Sequence, residues 1–161
     1  MSRTLLVFLV GSLIALILFL IFGNRIRVLN PKFLILKQAI KAQTRLNGYP
    51  SQYNRFIMAQ AMHETGFLRS NLFRNFNNAF GMKYPKQRTT VSIGGTKNDF
   101  ARYKTIEDSV IDLLLWFNAR RIPKDINSMS QYAAVLKARN YYEDTFQNYF
   151  NGLTNATKII E

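Results

Sequence analysis

The residues of this chain that can do acid–base chemistry are few. Against twenty-two Lys and Arg stand nine acids: Glu64, Asp99, Glu107, Asp108, Asp112, Asp125, Glu143, Asp144 and Glu161. There is one histidine, His63, and no cysteine, so thiolate nucleophiles, disulfide scaffolds, iron–sulfur clusters and histidine-rich metal sites are excluded. Among the acids, Glu64 is placed for chemistry. It follows Phe56, Ile57, Met58, Ala59, Ala61 and Met62 and precedes Gly66, a residue suited to the left-handed end of a helix. A carboxyl at that end meets two effects of the same sign: apolar neighbours disfavour the anion, and the negative pole of the helix repels it. Both raise its pKa, as a general acid working near neutral pH requires. The plainer alternative is a surface glutamate that merely ends a helix. A zinc reading of His63-Glu64 fails because Phe67 stands where the second histidine of H-E-x-x-H belongs, so no metal and no cofactor is expected. His63 reads as packing behind Glu64.

The remaining acids have structural explanations. Glu107, Asp108 and Asp112 fall in the first turns of a helix and complement its dipole, Asp125 starts a turn after Pro123, and Glu143-Asp144 precedes the last helix. Trp116 and Phe117 in an apolar helical stripe read as core. Tyr141-Tyr142, between two helices, suits either packing or stacking on a ligand ring.

These residues need a scaffold, and the chain is long enough for one domain, with 161 residues of which 48% are hydrophobic and 14% aromatic. Residues 4–22 are uncharged and strongly apolar. As a helix they would reach roughly 28 Å, the thickness of a bilayer core, and no small-x-small cleavage pattern follows them. This predicts an N-terminal transmembrane anchor over 1–24, a basic linker over 25–30 and a globular domain over 31–161. Within the domain, Asn30-Pro31 opens a helix whose stripe is Phe33, Leu36, Ile40 and Leu46, with Asn47-Gly48 as its stop. A second helix is predicted over 51–65. Thr89 to Ile93, the Gly94-Gly95 pair and Phe100 to Tyr103 predict a small β-hairpin. Thr105 and Asp108 form a capping-box pattern ahead of Val110, Leu113, Leu114 and Phe117, and further helices fit 129–139 and 145–160. The fold class is therefore mainly α, with one small β-hairpin, preceded by a single transmembrane helix.

Gln60-Ala61-Met62-His63-Glu64-Thr65-Gly66, then Ser70 and Leu72, then Asn77-Asn78-Ala79-Phe80-Gly81-Met82-Lys83, Phe100-Ala101-Arg102-Tyr103 and Ser109-Val110 resemble the glucosaminidase-type peptidoglycan hydrolases. That family lies within the lysozyme-like superfamily and includes flagellar, autolytic and phage enzymes; the resemblance covers roughly residues 33 to 158. It implies a lysozyme-like fold, with Glu64 as catalytic general acid acting on the β-1,4 bond between N-acetylglucosamine and N-acetylmuramic acid. It also implies that Asn78, Phe80 and Gly81 shape the floor of a glycan cleft, with Tyr103, Tyr141 and Tyr142 along it. Members often carry a second acid after a Thr pair. Here Thr89-Thr90 is followed by Val91-Ser92-Ile93, which leaves Asp99 as the sole candidate for the second catalytic carboxylate.

The expected partners are peptidoglycan strands and, through residues 4–22, a lipid bilayer. The protein would sit in a bacterial inner membrane facing the wall or in the membrane of a phage virion. Two other classes are compatible with the sequence. One is a catalytically weak or inactive glycan-binding or structural membrane protein of the same fold. The other follows from the net charge of +13 and is a nucleic-acid binder. The basic residues are scattered and match no recognition motif, so no specific nucleic-acid partner is expected.

Overall fold

The computed structural model describes residues 30–161. Its contacts divide the chain into two units, 1–34 and 35–161; the described part of the first is the opening turn of a helix. Six helices are described: α1 (Pro31–Leu46), α2 (Gln52–Glu64), α3 (Asn71–Phe76), α4 (Ile106–Arg120), α5 (Met129–Ala138) and α6 (Phe146–Ile160).

Helix boundaries follow their capping chemistry. Thr105 accepts from the Asp108 N–H while the Asp108 carboxylate accepts from the Thr105 N–H, a closed capping box at the start of α4. Ser128 and Thr145 cap α5 and α6 through their hydroxyls in the same way. Helix α3 has no counterpart in the sequence reading. It is only six residues long, too short to show an apolar period, and it is set between the Ser70 cap and a left-handed Asn77 at φ 52°.

Helix α2 forms the centre of the 35–161 unit. Eight of its thirteen residues are buried, from Tyr53 and then continuously from Phe56 to Met62, so over that stretch it is enclosed on all sides rather than on one face. Around it stand the aromatic rings of Tyr49, Phe117 and Tyr132: Tyr53 lies 4.9 Å from Tyr49 and 6.0 Å from Tyr132, and Phe56 stacks on Tyr132 at 5.4 Å. The two buried tyrosine hydroxyls of this cluster are paired, that of Tyr132 donating to Gln60 Oε1 and that of Tyr53 to the Pro123 carbonyl. A helix so enclosed has little freedom, and Glu64 is its last residue.

The expected β-hairpin is not formed; among the described residues there is no strand, only isolated bridges pairing Lys83 with Phe100 and Gly95 with Ala101. The cause is that residues 99–102 divide their backbone bonds between two neighbours. The Ala101 N–H goes to the Met82 carbonyl, while the Arg102 N–H goes to Gly94. Side chains take groups that a ladder would use: the Ser92 hydroxyl donates to the Gly94 and Arg102 carbonyls, and Asn78 Nδ2 donates to the Ala101 carbonyl. The left-handed Asp99 at φ 60° turns the chain before pairing can extend.

The expectation of a single-pass membrane protein is corrected as well. Among the described residues no helix is long and apolar enough to cross a membrane, and the span expected over 4–22 lies outside the described residues.

Candidate active site

Glu64 occupies the C-terminus of α2, where the backbone turns through Thr65 and Gly66. Its carboxylate has two close neighbours. The Tyr149 hydroxyl of α6 donates to Oε1 at 2.9 Å. On the other side lies Gly81: a Cβ built there would come 3.4 Å from Oε2, and the residue's φ of +59° is one that side-chain-bearing residues rarely adopt. Glycine at 81 thus brings bare backbone against the carboxylate. Burial raises the Glu64 pKa from 4.5 to about 7, against the smaller opposing effect of the Tyr149 hydrogen bond, which favours the anion. Burial therefore retains the proton close to neutrality, while the phenol fixes the position of the carboxyl.

Helix α6 delivers Tyr149 because Gly152 lets it approach α2. A Cβ at 152 would lie 2.3 Å from His63 Cε1, so the imidazole fills the space that any larger residue would need. His63 then meets the Tyr149 ring edge-on at 5.1 Å, and burial lowers its pKa, more than Asp144 raises it. Tyr142 stacks on the other side of Tyr149, centroids 3.7 Å apart and planes 10° from parallel, with its hydroxyl on the Ala133 carbonyl. Tyr149 is fixed on both sides before it reaches Glu64.

The 77–84 segment is organised by Asn78, which is almost fully buried. Its Nδ2 donates to the carbonyls of Met82 and Ala101, and its Oδ1 accepts from the N–H groups of Phe80 and Met82. Phe80 is buried, and its carbonyl accepts from the Tyr141 hydroxyl at 2.6 Å. Beside this segment opens a groove of about 670 Å³, lined among others by Gly81, Lys83, Lys86, Arg88, Trp116 and Tyr141. Glu64 does not itself line the groove, but it adjoins it at Gly81. Trp116 and Tyr141 meet edge to face at 5.1 Å and contribute aromatic surface to the lining.

The far wall is held by a buried ion pair. Arg88 forks onto Asp112 with both nitrogen–oxygen distances 2.7 Å, and the Tyr103 hydroxyl donates to Asp112 Oδ2 at 2.7 Å. Burial alone would raise the Asp112 pKa; hydrogen bonds from Arg88, Tyr103 and Thr90 together with the Arg88 charge outweigh it and hold the carboxyl below its ordinary value.

The residues singled out from sequence thus fall into three groups. Glu64, Gly81 and Tyr141 come together at the groove, and Asn78 and Phe80 build the loop beneath it. Tyr142 supports Tyr149, and Tyr103 lies in the core bound to Asp112. Asp99 stands apart from Glu64's contacts, in an exposed turn where its N–H donates to the Thr96 carbonyl and its own carbonyl accepts from the Tyr84 N–H. Among the described residues no cluster of potential ligands could hold a metal ion. Two contributors escaped the sequence reading, Tyr149 and the ion pair. Gly152 in the middle of a helix was the available signal for the first, since an interior glycine marks close packing and Tyr149 lies one turn before it.

Comparison with known proteins identifies a family and two similar folds. The family model described as mannosyl-glycoprotein endo-beta-N-acetylglucosaminidase, the glucosaminidase family, matches residues 36–160. Among solved structures, the chain is similar to one in a type VI secretion system effector-immunity complex from Pseudomonas protegens. The TM-score is 0.60 and the identity 16%, over 80% of this chain and 93% of that one. It is also similar to a C-terminally truncated glycoside hydrolase domain of Salmonella typhimurium FlgJ, with TM-score 0.53 and 20% identity, over 79% of this chain and 93% of that one. At these identities the two likenesses concern the fold alone. No curated protein matches the sequence.

Proposed function

The chain belongs to the glucosaminidase family and is a glycoside hydrolase, and on that premise we propose that it cleaves peptidoglycan between N-acetylglucosamine and N-acetylmuramic acid, with Glu64 as general acid. The observation that carries this reading is the Glu64 carboxyl itself: protonated up to about pH 7, held by Tyr149 and set against the bare backbone of Gly81 at the groove.

In the reaction, Glu64 gives its proton to the bridging oxygen as the C–O bond to the sugar breaks, and the ring takes on oxocarbenium-like charge. The resulting carboxylate keeps the hydrogen bond from Tyr149, which is stronger to an anion than to the neutral acid, so the proton leaves at lower cost. Trp116 and Tyr141 offer ring faces and edges to the apolar sides of a pyranose, while Asn78, Phe80 and Gly81 form the floor. Tyr142 acts through Tyr149, and Tyr103 acts through Asp112. Asp99 takes the part of second carboxylate in this reading because it is the one acid between Glu64 and Glu107 and is exposed to solvent.

Zymography on cell-wall substrate tests the proposal. Wild type should clear and Glu64→Gln should lose activity by about 10²–10⁴-fold, the usual worth of a positioned acid. Absence of clearing by the wild type removes peptidoglycan as substrate, and clearing by both removes Glu64 from its role. Asp99→Asn should lower turnover less than Glu64→Gln but measurably, while leaving the fold intact; unchanged turnover takes Asp99 out of the mechanism.

A further inference from the structure

The groove beside Glu64 carries charge of one sign only. Lys83, Lys86, Arg88 and Arg120 line it, and no Asp or Glu does. The four cations differ in what they already hold. Arg88 is spent on the buried Asp112, and the Lys83 ammonium donates to the Asn98 carbonyl while lying 3.7 Å from the centre of the Phe100 ring. Lys86 and Arg120 are exposed and, among the described residues, form no ion pair. The Arg120 guanidinium sits 5.9 Å from the centre of the Trp116 ring, which places this exposed cation at the edge of the aromatic lining.

A neutral glycan offers these cations hydroxyl and acetamido oxygens but no opposite charge. Cations along one groove give it a positive potential that attracts an anionic ligand, and low-dielectric aromatic walls strengthen that attraction. We propose that Lys86 and Arg120 are specificity-determining residues that bind a carboxylate carried by the glycan strand, so that the groove selects acid-bearing strands over neutral ones. This deepens the reading of the chain as a peptidoglycan hydrolase and rests on it. In peptidoglycan the carboxylates belong to the stem peptides, or to the lactyl group where the stem is removed. A planar guanidinium and an ammonium lining one groove suit that group, the first as a two-point donor and the second as a point charge.

A binding measurement separates this proposal from turnover. Full-length Glu64→Gln protein, which leaves the polymer intact, is pulled down with three substrates: intact peptidoglycan sacculi, sacculi whose carboxylates have been converted to amides, and strands freed of their stems by an amidase and coupled to beads through their reducing ends. Binding to intact sacculi should exceed binding to amidated sacculi by about tenfold at low salt, the gap closing as salt rises. Adding Lys86→Gln and Arg120→Gln should abolish that gap while leaving the binding to amidated sacculi as it was. A control carrying Lys41→Gln and Lys158→Gln removes the same charge from exposed positions that do not line the groove and should keep the gap. Retention by stripped strands assigns the contact to the lactyl carboxylate, and its loss there assigns the contact to the stem. Equal binding to intact and amidated sacculi, or an equal loss in the control, overturns the proposal. Because binding is read without turnover, failure of the wild type to hydrolyse sacculi would count against the reaction and not against this contact.

Discussion

Replacing Glu64 by Gln should stabilise the fold, and by an amount that depends on pH. The carboxyl has a pKa of 4.5 when free and about 7 in the folded chain, raised chiefly by burial. Below pH 4.5 it is neutral in both states, so wild type and variant should be equally stable with respect to this group. As the pH rises through 4.5, the unfolded chain loses its proton first while the folded one keeps it, and folding stability falls until the folded carboxyl also ionises near pH 7. At about 1.4 kcal/mol per pKa unit, the full difference corresponds to roughly 3 kcal/mol. Partial contact of the carboxylate with solvent reduces this to about 2 kcal/mol. Glutamine keeps an oxygen for the Tyr149 hydroxyl and carries no charge to desolvate, so at pH 8 it should raise the melting temperature by roughly 5–8 °C for a domain of this size. The assay is thermal or urea unfolding of both proteins at pH 4, 6 and 8, with the difference near zero at the first and greatest at the last. A difference that stays constant across this range, or a variant less stable than wild type at pH 8, would refute the burial argument from which the acid's function is derived.

Three further outcomes follow from the same contacts. Tyr149→Phe removes the hydrogen bond that favours the Glu64 anion, so the falling limb of the pH–rate profile, expected near pH 7 for a general acid, should move up by about one unit. Arg88→Ala leaves the Asp112 carboxylate fully buried and deprived of its cation, and chemical denaturation should report a loss of about 3–5 kcal/mol that Asp112→Asn partly restores. Gly152→Ala adds helix propensity of up to about 1 kcal/mol, yet its methyl would fall inside the His63 ring; a net loss of about 1–3 kcal/mol in unfolding experiments is expected, relieved when His63→Ala is combined with it.

The residues that were legible in the sequence are those whose role is local. Thr105 and Asp108 close a capping box because the two lie three residues apart, and no distant partner is needed. Glu64 could be read as an unusual acid because its apolar neighbours share its own helix. The hairpin was misread for the opposite reason. Residues 89–103 carry β-forming side chains and a Gly-Gly pair, but their backbone bonds were claimed by Met82, Asn78 and the Ser92 hydroxyl, and competition of that kind cannot be seen in a local pattern. Tyr103 shows the same limit: the motif around it suggested the cleft, while its hydroxyl is committed to Asp112, nine residues on, in the core.

By itself, then, the sequence determined the chemistry available: nine acids, one histidine, no thiol, and a single glutamate ending a buried helix beneath a family motif. Composition and spacing are enough for that, because they decide which groups exist and what their chain neighbours are. Only the tertiary structure decided what holds that glutamate. Tyr149 lies eighty-five residues away and reaches Oε1 because Gly152 admits His63, and Gly81 reaches Oε2 because Asn78 folds its loop. The pKa of an acid depends on everything within a few ångströms of it, and in this protein those neighbours come from three separate parts of the chain.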